Sequence, residues 1–297
     1  MYVIRPFDPW RSPMCTCPKK YVLHPYTGCG HGCLYCYASS YIRNFFDPRP
    51  KKALKDYLVK DLEKLPPGAI IEMSTSSDPY TPPEADLKIA REAIREILKR
   101  GFKLLITTKS SLVLRDLDLL ARFRDRVVVA ITITTLDNRV ASLLEPGAPP
   151  PEVRLRVVNA LSRSGIPTLV RLDPIVPYVN DDYTSIAKLV EGASLAGAFQ
   201  ITSSTYKARA DSLKRLVEAF PQVYTEIVEA YRAGEKICGY TYLRRDKRLE
   251  YMKIVRELAL RAGVAFNTCR ERFPELASRG FNCDGSSLIG RSSVTEV

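Results

Sequence analysis

Cysteines 29, 33 and 36 stand in the run Gly28-Cys29-Gly30-His31-Gly32-Cys33-Leu34-Tyr35-Cys36-Tyr37, a C-x3-C-x2-C loop. Three thiolates this close can occupy three corners of a cubane [4Fe–4S] cluster, which ordinarily takes four cysteines. The missing fourth leaves one iron free to bind something else. Glycines at 28, 30 and 32 let the loop fold tightly and turn its amides toward the sulfides. The same spacing also suits a zinc knuckle completed by His31 or by a distant cysteine. Cys15-Thr16-Cys17 lies near one end of the chain and Cys269 and Cys283 near the other. If the ends meet, these four make a second iron–sulfur cluster or a structural zinc; otherwise they are unliganded thiols. Cys238 stands alone and is expected to be a buried apolar thiol. His24 and His31 are too few for a histidine-rich centre and are expected to pack or hydrogen-bond.

The chain has 297 residues, with 45 lysines and arginines against 33 acidic residues and a net charge of +12. Hydrophobic residues at 45% and charged residues at 26% exclude disordered, collagen-like and low-complexity classes. At roughly 150 residues per domain the length suggests two domains, yet one α/β barrel can use all of it. No stretch approaches the roughly 20 apolar residues of a membrane span. The opening Met1-Tyr2-Val3-Ile4-Arg5-Pro6 lacks the apolar core of a secretory signal. The expectation is a soluble, cytoplasmic protein with reduced thiols and no membrane partner. The basic excess suits a polyanionic partner, nucleic acid foremost, or simply a basic solvated surface.

The remaining sequence must position these groups, and it does so by alternation. Runs rich in Val, Ile and Thr at Tyr21–His24, Ile70–Ser74, Lys103–Thr107, Val127–Ile133, Pro167–Leu172 and Phe199–Thr202 predict strands. Helical spacing covers Lys51–Lys64, Glu84–Arg100, Leu112–Phe123, Pro151–Ser164 and Asp182–Glu191. Repeated strand and helix imply a parallel sheet, because parallel neighbours need a crossover. About six such units suit a partial (βα)6 TIM-like barrel better than a closed eightfold one. From Ala208 onward the pattern is mainly helical, over Ser212–Phe220, Tyr224–Arg232 and Arg248–Ala262. The expected organisation is one α/β domain over 1–297. Its barrel core covers about 19–205, and a helical extension over 206–297 closes against the Cys-rich N-terminal segment.

The triplet resembles that of the radical S-adenosylmethionine (SAM) enzymes, whose pattern includes an aromatic residue just before the third cysteine, here Tyr35. Tyr35-Cys36-Tyr37, Ser76-Ser77-Asp78, Thr107-Thr108-Lys109-Ser110 and Glu145-Pro146-Gly147 followed by Arg154 are similar to the spore photoproduct lyase-like branch, often labelled DNA repair photolyase-like. The similarity runs from about residue 15 to 285. It implies a six-unit partial barrel in which the open iron chelates the amino and carboxylate groups of SAM. One electron, from a donor such as ferredoxin or flavodoxin, then cleaves SAM to methionine and a 5′-deoxyadenosyl radical that takes a hydrogen atom from substrate. The resemblance further implies that Ser76, Ser77 and Asp78 hold the SAM ammonium and that Lys109 pairs with its carboxylate. Thr132 or Thr134 would face the ribose, and Arg154 would reach the SAM carboxylate or a substrate anion. Each also has an ordinary reading: a turn cap before Pro79, a helix-start lysine, strand filling, a surface arginine. Tyr35 and Tyr37 are catalytic candidates, or packing that shields the cluster.

The lesion-repair enzyme of that branch carries a cysteine just before its Ser-Asp segment as hydrogen-atom donor. Thr75 stands there in this chain, and no cysteine occurs between Cys36 and Cys238. An O–H bond is too strong to replace S–H. The expectation is therefore a related, lyase-like radical reaction on another substrate: DNA, tRNA or other RNA, or a peptide. A non-enzymatic, zinc-containing, Cys-rich nucleic-acid-binding protein is the alternative from another class.

Overall fold

Among the described residues, eight strands lie in one sheet in the order in which they occur in the chain. They are β1 (Ile4–Pro6), β2 (Tyr21–Leu23), β3 (Ile70–Met73), β4 (Lys103–Thr108), β5 (Val127–Thr132), β6 (Thr168–Ile175), β7 (Gln200–Thr205) and β8 (Ala265–Thr268). The computed structural model describes residues 2–7 and 12–291. From β2 to β8 every neighbouring pair is parallel, while β1 runs antiparallel along β2. The sheet begins at β1 and ends at β8, giving the open, partial barrel that six βα units predict.

Burial explains the strand sequences. Every residue of β5, Val-Val-Val-Ala-Ile-Thr, is buried, as expected of a parallel strand covered on both faces. Val127, Val129 and Ile131 join the large core beneath the helices. Val128 and Ala130 instead meet Leu105, Leu169 and Leu288 in a smaller cluster. That second cluster is where the C-terminal segment enters the barrel, with Phe281 and Ile289 packed beside it. Gly285 makes the fit possible: its φ is +80°, and an added Cβ would lie 2.6 Å from Leu169 Cδ2.

Helices α1 (Leu54–Leu62), α2 (Ile89–Lys99), α3 (Leu117–Arg122), α4 (Pro151–Arg163) and α5 (Tyr183–Leu195) supply the crossovers. In α2 the stripe Ala90, Ala93, Ile94, Ile97 and Leu98 is buried, and each fully buried Ile or Leu contributes about 1.5–3 kcal/mol. The pattern predicts one helix over Glu84–Arg100, but the chain breaks at Lys88, whose φ is +51°. Buried Glu84 reaches across the break and accepts from the amides of Ala90 (2.8 Å) and Arg91 (3.2 Å). These are orphan donors at the start of α2, and helical periodicity carries no trace of such a cap.

Three further helices follow, α6 (Ala210–Ala219), α7 (Tyr224–Arg232) and α8 (Arg245–Arg261). The extension is not helical throughout, however. It contributes the hairpin Glu235–Ile237 with Tyr240–Tyr242 and the edge strand β8. The sheet thus crosses both expected limits of the core, taking β1 from before residue 19 and β8 from after 206. Ala-Phe-Asn-Thr is too short and too polar to declare itself as a strand, and pairing with β7 decides its conformation. Among the described residues no helix is long and apolar enough to cross a membrane.

Candidate active site

The C-x3-C-x2-C loop leaves β2 and is fastened at four points by three separate segments. Cys29 N–H donates to Phe45 O (2.7 Å), Leu34 N–H to Leu144 O (2.9 Å) and Gly147 N–H to His31 O (2.9 Å). The amide of Gly30 donates to Thr81 Oγ1 at 2.9 Å. A side chain at residue 147 would force a shift, because its Cβ would sit 2.4 Å from Gly30 O. Glu145-Pro146-Gly147 is therefore a backbone clamp on the cysteine loop. Cys29 and Cys33 are buried and Cys36 is partly so. All three face a cavity of about 590 Å³ at the carboxyl ends of the strands, where barrels of this kind place their chemistry. Burial pushes the Cys33 thiol up to about 12 and raises Cys29 and Cys36 as well. A metal centre must displace those protons to bind.

His31 supplies no fourth ligand. Its Nδ1 lies 3.1 Å from Gly147 O, and its Nε2 is at ion-pair distance, 3.1 Å, from Asp78 Oδ2, though off the line of a good hydrogen bond. With Nδ1 turned to Gly147 O and Nε2 to Asp78, the ring faces away from the triad, which fits a cubane with one open corner better than a zinc knuckle closed by His31.

Asp78 is a hub. Its Oδ1 accepts from Thr108 Oγ1 (2.7 Å) and Tyr80 N (2.9 Å), and its Oδ2 accepts from Lys109 N (2.9 Å). Burial by itself would raise its pKa, but His31, Lys109 N and Thr108 outweigh that and hold it below the usual carboxylate value. It ties the cysteine loop to the ends of β3 and β4. The neighbouring Ser76 and Ser77 also line the cavity. Ser76 Oγ is 2.9 Å from His24 Nε2, and burial, then Lys51 and Arg5, pushes that histidine down to about 4. His24 is neutral at physiological pH.

A second network joins the cluster loop to β5 and α4. Tyr35 Oη donates to Glu145 Oε1, and Arg154 Nη1 lies 2.5 Å from Glu145 Oε2. Lys109 Nζ is 4.0 Å from Glu145 and 5.6 Å from the centre of the Tyr35 ring. Burial would raise the Glu145 pKa, but Arg154, Lys109 and Tyr35 outweigh it and hold it low. Lys109 lines the cavity, as does Thr132. Arg154 does not: its Nε donates to Pro149 O (2.7 Å) and its Nη1 to Thr132 O (3.0 Å), behind Glu145. The expectation that Arg154 reaches the SAM carboxylate or a substrate anion is not met by this geometry: the buried arginine at the start of α4 finds its anion, Glu145, within the protein. Thr134 is likewise buried away from the cavity wall, with its carbonyl accepting from Asn180. Tyr37 Oη donates to Thr75 O at 2.7 Å, so both tyrosine hydroxyls beside the triad are committed to protein acceptors.

Cys15, Cys17, Cys269 and Cys283 line the same cavity. Cys17 Sγ is 3.4 Å from Cys283 Sγ. Cys17 is the thiol held low, first by hydrogen bonds from Cys15 and Cys283 and then by the charges of Lys20 and Arg171. Lys20 Nζ lies 2.6 Å from both Glu72 and Asp284, and Arg171 is 2.5 Å from Asp173. Arg270 also faces the cavity, stacked 4.5 Å over Tyr240, and its buried Nε and Nη2 have no hydrogen-bond partner. The expectation for Cys238 fails: it is exposed at the hairpin turn with φ +48°, because a two-residue turn has no core to enter. Glu72, Arg171 and Asp173 escaped sequence reading, although single charges inside otherwise apolar parallel strands signal a polar lumen.

A three-sulfur loop at the carboxyl ends of a six-unit parallel barrel defines a class of cofactor-dependent radical enzymes. The radical SAM superfamily model matches residues 23–190, more than half of the chain, and the chain belongs to that superfamily. The uncharacterized protein MJ0683 of Methanocaldococcus jannaschii is 33% identical over 60% of this chain and 67% of its own length. The uncharacterized protein ORF301 of Acidianus two-tailed virus is 34% identical over 50% of this chain, which spans about half (54%) of that relative. A radical SAM Nα-GlyT isomerase of Pseudomonas phage M6 is 24% identical over 83% of this chain and 53% of its own length. Among solved structures, spore photoproduct lyase with bound SAM and dinucleoside spore photoproduct superposes with TM-score 0.69 at 17% identity, covering 88% of this chain and 79% of that one. At that identity the likeness establishes the fold.

Proposed function

We propose that this chain is a radical SAM enzyme that holds a [4Fe–4S] cluster through Cys29, Cys33 and Cys36 and acts on a nucleic-acid substrate. The observation that carries this reading is the triad itself, three cysteines facing one cavity, two of them buried, with His31 turned to Gly147 and Asp78. When bound, the cluster supplies one electron to the sulfonium of SAM, releasing methionine and a 5′-deoxyadenosyl radical. The protein's own part is positioning. Lys109, whose pKa Cys33, Glu145 and Asp78 raise against the pull of burial, lines the cavity and would pair with the SAM carboxylate, with Glu145 and Arg154 fixing where that lysine points. Ser76, Ser77 and Thr132 offer hydroxyls along the cavity. Tyr35 and Tyr37 brace the loop rather than pass hydrogen, since each hydroxyl already donates to a protein oxygen.

For the substrate, a net charge of +12 and an arginine with unpartnered N–H groups over an aromatic ring favour a phosphate-bearing chain over a peptide. The spore photoproduct lyase structure, with its bound dinucleoside, is in keeping with this. The test is anaerobic reconstitution with iron and sulfide, then dithionite and SAM. 5′-Deoxyadenosine is expected by mass spectrometry and should vanish in the Cys29→Ala/Cys33→Ala/Cys36→Ala variant; product persisting there would refute the assignment. Oligonucleotide binding should weaken steeply with salt, and Arg270→Ala should lower the salt slope by about one.

A further inference from the structure

We infer that Cys15, Cys17, Cys269 and Cys283 form a second, four-thiolate centre for a thiophilic metal, either zinc or an iron–sulfur cluster, in the wall of the same cavity. Two thiols brought to 3.4 Å from positions 266 residues apart are the starting point. That separation is far beyond the roughly 2.05 Å of a disulfide, and all four cysteines are free. Cys15 and Cys269 line the same cavity wall as that pair, so all four thiols face one space. Packing does not require this. A core filled for volume alone would use apolar side chains. Lys20 is already paired with Glu72 and Asp284, and Arg171 with Asp173, so the positive charge that offsets the thiolates has to come from the metal itself.

Soft, all-sulfur donor sets select zinc or iron–sulfur over hard cations. Among the described residues no three ligand groups are already drawn up around one ion. Metal entry therefore has to bring the Cys15 and Cys269 side chains in toward the Cys17–Cys283 pair, closing the two ends of the chain on each other. This centre is separate from the triad, and it goes beyond the function proposed above without depending on it.

The test is a metal count on protein purified without oxygen: wild type, the triad triple-alanine variant, and Cys17→Ser/Cys283→Ser. Wild type should hold about eight irons, or about four irons with about one zinc; Mössbauer spectroscopy separates those two arms. The triad variant should lose about four irons and keep the remainder, while Cys17→Ser/Cys283→Ser should do the reverse. Should that double variant fail to fold, the single Cys269→Ser is expected to release the second metal to a chelator faster than wild type does. Cys238→Ser, at the exposed hairpin, should change neither count. About four irons and no other metal in wild type, or an intact mass showing a Cys17–Cys283 disulfide, overturns the inference. A triad variant that keeps all its iron instead overturns the functional reading and leaves this one standing.

Discussion

Seven of the eight cysteines share one cavity, but the triad and the terminal four are built by opposite means. The triad is local: Cys29, Cys33 and Cys36 sit on a single loop, and Phe45, Thr81, Leu144 and Gly147 pin its backbone. The terminal four are gathered from segments with no sequence proximity, through β8 on one side and the barrel-filling turn around Gly285 on the other. Backbone hydrogen bonds thus preset the first group before any metal arrives. The second depends on tertiary closure, and its thiols meet only if both ends of the sheet are finished. Damage to the clamp should therefore strike one metal population and spare the other.

The largest such effect is expected from Arg154→Met. Glu145 would be left buried without its strongest partner, which costs about 3–5 kcal/mol. Urea unfolding should show that loss, and the metal that remains bound should be enriched in the terminal site. Equal loss from both groups would mean that they are not independent. Gly147→Ala should be milder. A Cβ 2.4 Å from Gly30 O forces the clamp off the loop at about 1–3 kcal/mol, and the expected readout is faster iron release from the triad at nearly unchanged fold by circular dichroism. The smallest effect is the pH dependence carried by Asp78. Its folded pKa lies below the ordinary 3.8, so its stabilisation is complete above that value and is lost as pH falls through the lower, folded one. Asp78→Asn should flatten this acid limb in stability measured between about pH 5 and 2. An unaltered limb would remove Asp78 as the tie between loop and barrel.

Much of this was legible in the sequence because it is local. Strand runs such as Val127–Ile133 fall within a residue of the observed β5, and the triplet stands out by its spacing, although spacing alone leaves zinc open and the family resemblance is what favours a cluster. Polar and long-range features were not. Glu84 splits a helix by capping its second half from a buried position, and no periodicity reports a side chain that satisfies amides six residues on. Arg154 carries the right residue type for a ligand, but whether a guanidinium faces a cavity or a buried glutamate depends on where α4 docks. The strand Ala265–Thr268 has almost no strand signal and owes its conformation to β7. Only the inward charges of β3 and β6 could have been caught, by asking why Glu72, Arg171 and Asp173 interrupt apolar runs.

The turn around Gly285 has a consequence for how the protein is made. Ribosomes add about 5–20 residues per second, so Cys15 and Cys17 emerge on the order of ten seconds or more before Cys283, which lies 266 residues after Cys17. Through that interval the nascent barrel has an unfilled interior and half a set of thiols exposed to solvent. If the terminal cysteines take a metal as inferred above, its loading would fall after translation ends, and a chain cut before Cys283 would lack both the fourth thiol and the turn that fills the barrel.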